Sequence, residues 1–309
     1  MTGRRWAVVG IGGVGGLYAA RLHAAGCEVH LVARSDADVL RTEGLHLASP
    51  LGDVHARLPV HVSPETVPEV DVVVLATKTT TPAAAGVAAA IVARHPGAAL
   101  LVLQNGLGVE AAAAVGLPDG ATVLGGMAFV CSQRVGPGRI SHLDFGPVSV
   151  GEHRADGTAA GTTPAVAAAV ADLDASGVGG VAVADLVLGR WRKLVWNIPF
   201  NGLAVVLRSR TDQMLADPAV TDRVRTLMDE VRAGAAAEGR DIPAAFVSEM
   251  LTTTAGMTPY APSMRLDFDA GRPLELDAIY AAPLAVARAA GVDLPATATL
   301  LAELRALTT

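Results

Sequence analysis

The sequence predicts a two-part α/β protein. An N-terminal domain, residues 1–184, is built on a parallel sheet, and an all-helical C-terminal domain spans residues 185–309. Three observations predict this. A glycine-rich turn joins an apolar run to a helical pattern near the start of the chain. Short, purely apolar strands then alternate with Ala-rich helical stretches, as parallel strands buried on both faces do. Strand signals stop near 184–186, and only helical patterns punctuated by prolines follow.

In order, Trp6-Ala7-Val8-Val9 is a short strand that runs into Gly10-Ile-Gly12-Gly13-Val-Gly15-Gly16. A helical pattern follows to Gly26, and Glu28 to Ala33 reads as a second strand. Strand, GxGxxG, helix and strand in this order mark a Rossmann-type dinucleotide site. Gly10 makes the tight turn, Gly12 lets the backbone approach a pyrophosphate, and Gly15 lets the helix pack on the strand. Gly13 belongs to the same loop. An NAD site usually carries an acid after the second strand, to hold the ribose 2′-hydroxyl. Here the residues are Ala33-Arg34-Ser35, and a guanidinium suits a 2′-phosphate, so NADP is the expected cofactor. The alternative for Arg34 alone is a solvent-facing strand-end cation.

Asp71 to Lys78 is an apolar strand ending in a lysine, residues 83–94 a helix, and Ala99 to Leu103 a strand ending in Gln104-Asn105-Gly106. Carboxyl ends of such strands face the ligand, which places Lys78 and Asn105 near a nicotinamide ribose. Asn-Gly is also a common turn. Residues 121–130 and 147–151 read as strands, with Cys131 in a loop and a turn at Pro137-Gly138. A helix over 164–175 and a strand over 178–183 complete the domain. Helical patterns then cover about 186–207, 212–238, 243–256, 273–290 and 296–307.

Composition bounds the function. The chain has 309 residues, enough for two domains, and 51% of them are hydrophobic. A formal charge of −6 without a basic block argues against nucleic acid. Two cysteines, no CxxC pair and scattered histidines imply neither a disulfide scaffold nor a metal site. There is no GxSxG nucleophile motif. The N-terminus shows no signal-peptide pattern, and no apolar run reaches the ~18–20 residues of a membrane span. A cytoplasmic protein is expected, and a homodimer is compatible with the chain.

The chemistry concentrates in Arg190 to Gly202. Lys193, Asn197 and Asn201 are four residues apart and share one helix face. A solvated stripe is the commoner fate of such a pattern. Asn is a mediocre helix former, however, and this row sits among Trp191, Leu194, Trp196, Ile198 and Phe200. A buried row of amides needs partners, and a ligand is one. Pro199 removes the helical hydrogen bond to Val195 and predicts a kink. Further on, Pro262 to Asp277 mixes polar residues with turn signals, and Pro273-Leu274-Glu275 resembles a helix start.

Taken together, these residues resemble the ketopantoate reductases. The likeness runs through the GxGxxG, Arg34, Lys78, Gln104-Asn105-Gly106 and Lys193-x3-Asn197-x3-Asn201. It ends with Ser263-Met264-x-x-Asp267, Gly271-Arg272 and Glu275-Leu276-Asp277. The resemblance implies NADPH-dependent reduction of 2-dehydropantoate or another 2-keto acid, with the cleft between the domains as active site. It implies Lys193 as general acid, Asn197, Asn201 and Ser263 as substrate-holding groups, Glu275 at the nicotinamide and substrate end, and Asn105 touching both ligands. Two departures stand out: Pro262 precedes Ser263 where the family often has serine, and Tyr280-Ala281 replaces Asn-Gly. They leave open a different 2-keto acid, with Tyr280 either narrowing the pocket or packing in the core. A sensor that lost catalysis would need the glycine loop but not a proton donor, so the retained Lys193 disfavours it.

Overall fold

A computed structural model describes residues 3–308, and the chain divides into two compact units. Unit 1 comprises residues up to Gln104 and Val109–Leu186; unit 2 comprises Val187 onward together with Asn105–Gly108.

Unit 1 is a ten-stranded sheet with helices packed against it. In chain order it runs β1 (Arg5–Val9), α1 (Gly13–Ala24), β2 (Glu28–Val32), α2 (Ala37–Thr42), β3 (Leu45–Ala48), β4 (Val54–Ala56), β5 (Val60–His61), β6 (Val72–Leu75), α3 (Ala83–Arg94), β7 (Ala99–Val102), α4 (Val109–Ala113), β8 (Val123–Gly136), β9 (Arg139–Glu152), α5 (Pro164–Ala175) and β10 (Gly180–Ala182). The strand order is β4-β3-β9-β8-β7-β6-β1-β2-β5, with β10 beside β9. From β5 to β8 every pairing is parallel. The chain leaves β1 toward β2 and later returns to its other side with β6. That reversal creates the crevice at the strands' carboxyl ends where such sheets bind ligands. Trp6, Val8, Val72, Val73 and Leu100 are fully buried, which is why the central strands read as continuous apolar runs.

The hairpin departs from what the sequence predicts. β8 and β9 are fourteen residues each, far longer than the expected 121–130 and 147–151. Cys131 is a buried strand residue rather than a loop residue. Three irregularities, at Ala128/Val130, Cys131/Ser132 and Arg134/Gly136, interrupt the pairing and blurred the alternating pattern. They also twist the ribbon, and its far end lies against the first turn of α1. The turn at Pro137-Gly138 is where the sequence placed it.

Unit 2 is helical: α6 (Leu186–Val206, its first residue in unit 1), α7 (Thr211–Ala216), α8 (Pro218–Ala237), α9 (Ala244–Gly256), α10 (Ser263–Asp269), a π-helical turn (Asp277–Ala281), α11 (Ala282–Ala289) and α12 (Pro295–Thr308). α6 continues through Pro199 and is buried nearly all round over residues 194–205. It ends with Arg208 in the left-handed region at φ 52°, while Ser209 N–H reaches back to the Ala204 carbonyl at 3.2 Å. The expected single helix over 212–238 is two helices. Asp217 is extended (φ −100°, ψ 116°) ahead of Pro218, and its carboxylate caps α8 by accepting from Ala219 N–H at 2.9 Å. α10 was not foreseen because its seven residues lie among turn signals. The expected helix over 273–290 starts later, at the π turn. No helix among the described residues is long and apolar enough to cross a membrane.

Candidate active site

In unit 1 the glycines of the loop have separable reasons. Gly10 has φ +96°, and a Cβ on it would sit 2.5 Å from the Thr77 methyl carbon. A Cβ on Gly15 would lie 2.0 Å from the Gly10 carbonyl oxygen, so strand and helix could not close on each other. Gly13 is required by the hairpin: its Cβ would lie 2.6 Å from the Ser132 carbonyl oxygen. Gly12 differs from all three. Its φ is −90°, and a Cβ there would meet nothing within 4 Å. No protein atom demands glycine at that position, which faces open space at the N-terminus of a twelve-residue helix whose first turn carries no acid. Free N–H groups there suit a pyrophosphate. Arg34 is exposed just past β2, and Lys78 lies half-buried just past β6, with β1 between the two strands. Arg34 has no side-chain hydrogen bond or ion pair among the described residues. An open glycine, an acid-free helix start and an uncommitted guanidinium fit a phosphorylated dinucleotide.

In unit 2, α6 carries Lys193, Asn197 and Asn201 on successive turns. Asn197 is 2% exposed and Asn201 3%, so the row is not a solvated stripe. Lys193 is half-buried, with its Nζ 5.9 Å from the Trp196 ring centroid, inside the reach of a cation–π contact. The Trp196 indole is itself fixed: Nε1 donates to Thr254 Oγ1 at 3.1 Å, and the ring packs on Phe200 at 5.1 Å. The Asn201 side-chain Oδ1 accepts from the Met264 N–H in a long 3.5 Å contact, which brings it to the start of α10 beside Ser263. Arg272 donates to the buried Asp267 carboxylate at 2.9 Å and to the Leu266 carbonyl at 3.1 Å, tying the end of α10 to the turn before Glu275. Glu275 is 4% exposed and precedes the π turn, while Asp277 is exposed.

Asn105 joins this group although its neighbours in sequence belong to unit 1. Leu107 N–H donates to the Ala278 carbonyl of the π turn at 2.9 Å. Gly106, at φ +113°, lies so close that a Cβ would sit 2.5 Å from both the Ala278 Cβ and its carbonyl oxygen. The wide π turn and two small residues thus let residues 105–108 dock on unit 2. Asn197 Nδ2 then donates to Asn105 Oδ1 at 3.4 Å. Asn105 with Asn197, and Asn201 with the Ser263 end of α10, are therefore brought together. The Gly106–Ala278 seam and the Ser132–Gly13 contact escaped the sequence reading. Both join residues more than a hundred apart, and for the first the small size of Gly106 and Ala278 is the only signal.

Tyr280 is fully buried. Its hydroxyl donates to the Ile198 carbonyl at 3.0 Å, and a Cβ on Gly202 would meet that hydroxyl at 2.7 Å. Burial raises its pKa well above the ordinary phenol value. Tyr280 braces α6 between Asn197 and Asn201 and is a core residue.

A parallel-sheet unit with a glycine loop at its switch point, continued by a helical unit carrying a lysine and two buried carboxamides in a row, defines a two-domain dinucleotide-binding protein. Residues 6–155 match the family described as ketopantoate reductase PanE/ApbA, and residues 185–308 match its C-terminal domain. The chain belongs to the ketopantoate reductase family, whose members are dinucleotide-dependent oxidoreductases. It is 41% identical over 308 residues to the 2-dehydropantoate 2-reductase of Nostoc sp., covering 99% of this chain and 96% of that one. The crystal structure of 2-dehydropantoate 2-reductase from Geobacter metallireducens superposes with a TM-score of 0.89 at 35% identity, covering 98% and 99% of the two chains. That from Methylococcus capsulatus gives 0.87 at 31%, covering 98% and 96%.

Proposed function

We propose that this chain reduces 2-dehydropantoate to pantoate with NADPH. The observation that carries the reading is the Lys193, Asn197, Asn201 row, with both amides almost fully buried on a helix otherwise packed with apolar side chains. Near-full-length similarity to a 2-dehydropantoate 2-reductase supports the choice of substrate.

NADPH, when bound, would supply the hydride for reduction of the ketone carbon of the 2-keto acid. The chain's part is orientation and one proton. Lys193 carries that proton on Nζ; its ammonium stabilises the negative charge growing on the ketone oxygen and protonates it. Trp196 limits where the ammonium can lie. Asn197, Asn201 and Ser263 hold the substrate's carboxylate and hydroxyl groups, and Glu275 sets the nicotinamide and substrate end. The glycine loop Gly10, Gly12, Gly13 and Gly15 takes the pyrophosphate and Arg34 the 2′-phosphate. Lys78 and Asn105 would hold the nicotinamide ribose, and Asn105 would also hold the keto acid.

The test follows NADPH oxidation with a panel of 2-keto acids. Ketopantoate should give the highest kcat/KM, with NADPH outperforming NADH. A higher kcat/KM with another 2-keto acid would replace the substrate assignment, and equal use of NADH would remove the cofactor assignment.

A further inference from the structure

The segment after β2, Arg34-Ser35-Asp36, is held from across the sheet. Asp36 is 6% exposed, and its carboxylate accepts from Ser35 Oγ at 3.0 Å and is paired with the Arg134 guanidinium. Burial alone would raise this carboxyl's pKa, but the bonds from Arg134 and Ser35 outweigh burial and hold it below the ordinary value. Arg134 lies near the end of β8. Two residues earlier, Ser132 Oγ donates to the Gly13 carbonyl at 2.9 Å. This end of the ribbon therefore touches the glycine loop with one residue and the β2 loop with the next but one. Those two loops flank the adenosine half of a dinucleotide, pyrophosphate on one side and ribose on the other.

Two arginines near the glycine loop differ in how far their charge is matched from their neighbours in α2 and β9. Arg41 is matched by Asp38 at 3.4 Å and Arg139 by Glu43 at 3.1 Å. Arg34 has no side-chain partner among the described residues, and Arg134 bonds Asp36 through a single nitrogen. The Arg134 side chain remains 44% exposed. The Asp36 carboxylate thus engages Arg134 and leaves the Arg34 guanidinium, two residues before it in sequence, unmatched, while part of the Arg134 fork stays open to a ligand.

We propose that Arg134, oriented by Asp36, is a second cation of the 2′-phosphate subsite, which is then a two-arginine clamp rather than Arg34 alone. This rests on the NADP reading above. The alternative is a strut that shapes the loop and touches no phosphate.

The test measures binding of adenosine 2′,5′-bisphosphate and of 5′-AMP by calorimetry, with KM for NADPH and NADH alongside. It uses the unmodified protein, Arg34→Ala, Arg134→Ala, Arg134→Gln and Arg134→Lys. Arg134→Ala and Arg134→Gln should each weaken the bisphosphate by roughly 10–150-fold, the range for a charged hydrogen bond. Binding of 5′-AMP should change less than about twofold, within what an untouched site shows, and Arg134→Lys should recover part of the loss. If Arg134→Gln folds and weakens both nucleotides alike, or neither, while Arg34→Ala selectively weakens the bisphosphate, Arg134 is only a strut and the proposal fails. If the unmodified protein does not distinguish the two nucleotides, the NADP reading itself fails and takes the proposal with it.

Discussion

Under the proposed function, unit 1 and unit 2 handle their ligands with different materials. The glycine loop of unit 1 works through backbone: its residues are small so that strand, helix, ribbon and pyrophosphate can come close. It lies within one β-turn-α segment, Arg5–Ala24. Unit 2 works through side chains drawn from α6, the start of α10, the segment before the π turn, and a four-residue loop from the middle of unit 1's sequence. In the first case the geometry rests on residues contiguous in sequence, with Thr77 and Ser132 packed on them. In the second it is set by tertiary packing, and contacts such as Tyr280 on Ile198 and Leu107 on Ala278 have to hold it. Substitutions in the two units should therefore fail in different ways.

The largest expected effect is at the proton donor. Lys193→Ala should lower kcat by roughly 10²–10⁴-fold, the usual worth of general acid catalysis, with NADPH affinity retained. Single-turnover rates and fluorescence titration of NADPH check both halves. Near-normal turnover would remove Lys193 from the chemistry.

Next come the two arms of the glycine comparison. Gly12→Ala should leave the melting temperature nearly unchanged and weaken the dinucleotide, because only a ligand meets its Cβ. Gly15→Ala should destabilise unit 1 by about 1–3 kcal/mol, because the Gly10 carbonyl cannot yield to a Cβ. Calorimetric melting with and without NADPH separates them, and equal loss of stability in both would erase the distinction. Gly106→Ala combines a positive φ with a backbone clash at Ala278. It should also cost about 1–3 kcal/mol, and it should lower kcat by displacing Asn105. A variant with lowered stability but unchanged kcat would show that the loop need not dock for turnover.

The smallest expected effect is Tyr280→Phe. Losing one buried hydroxyl bond should destabilise the protein by about 0.5–1.5 kcal/mol without altering the ranking of 2-keto acids. A changed ranking would put Tyr280 back on the pocket wall.

The same contrast decides what could be read from the chain. The glycine loop, the buried strands and the 164–175 helix are local patterns, and the structure reproduces them because local sterics and burial dictate them. The helical spacing of Lys193, Asn197 and Asn201 was equally legible; whether the row was buried was not, since burial depends on what packs around α6. The β8–β9 ribbon was underestimated because bulges break the period-two alternation. α10 and the docking of Gly106 on Ala278 were missed because seven polar-flanked residues and a pair of small ones carry almost no local signal. Arg134 gave no sign in sequence of meeting Asp36, 98 residues away.

The division of labour between the units is tested most directly by a crossed measurement. KM for ketopantoate and Kd for NADPH are determined in Arg34→Ala and in Asn201→Ala. Arg34→Ala should weaken NADPH by about 10–150-fold and leave the keto-acid KM near its starting value. Asn201→Ala should raise the keto-acid KM and leave NADPH affinity unchanged. Loss of NADPH affinity in Asn201→Ala, or a raised keto-acid KM in Arg34→Ala at saturating NADPH, would contradict the assignment of the cofactor's phosphates to unit 1 and of the keto acid's polar groups to unit 2.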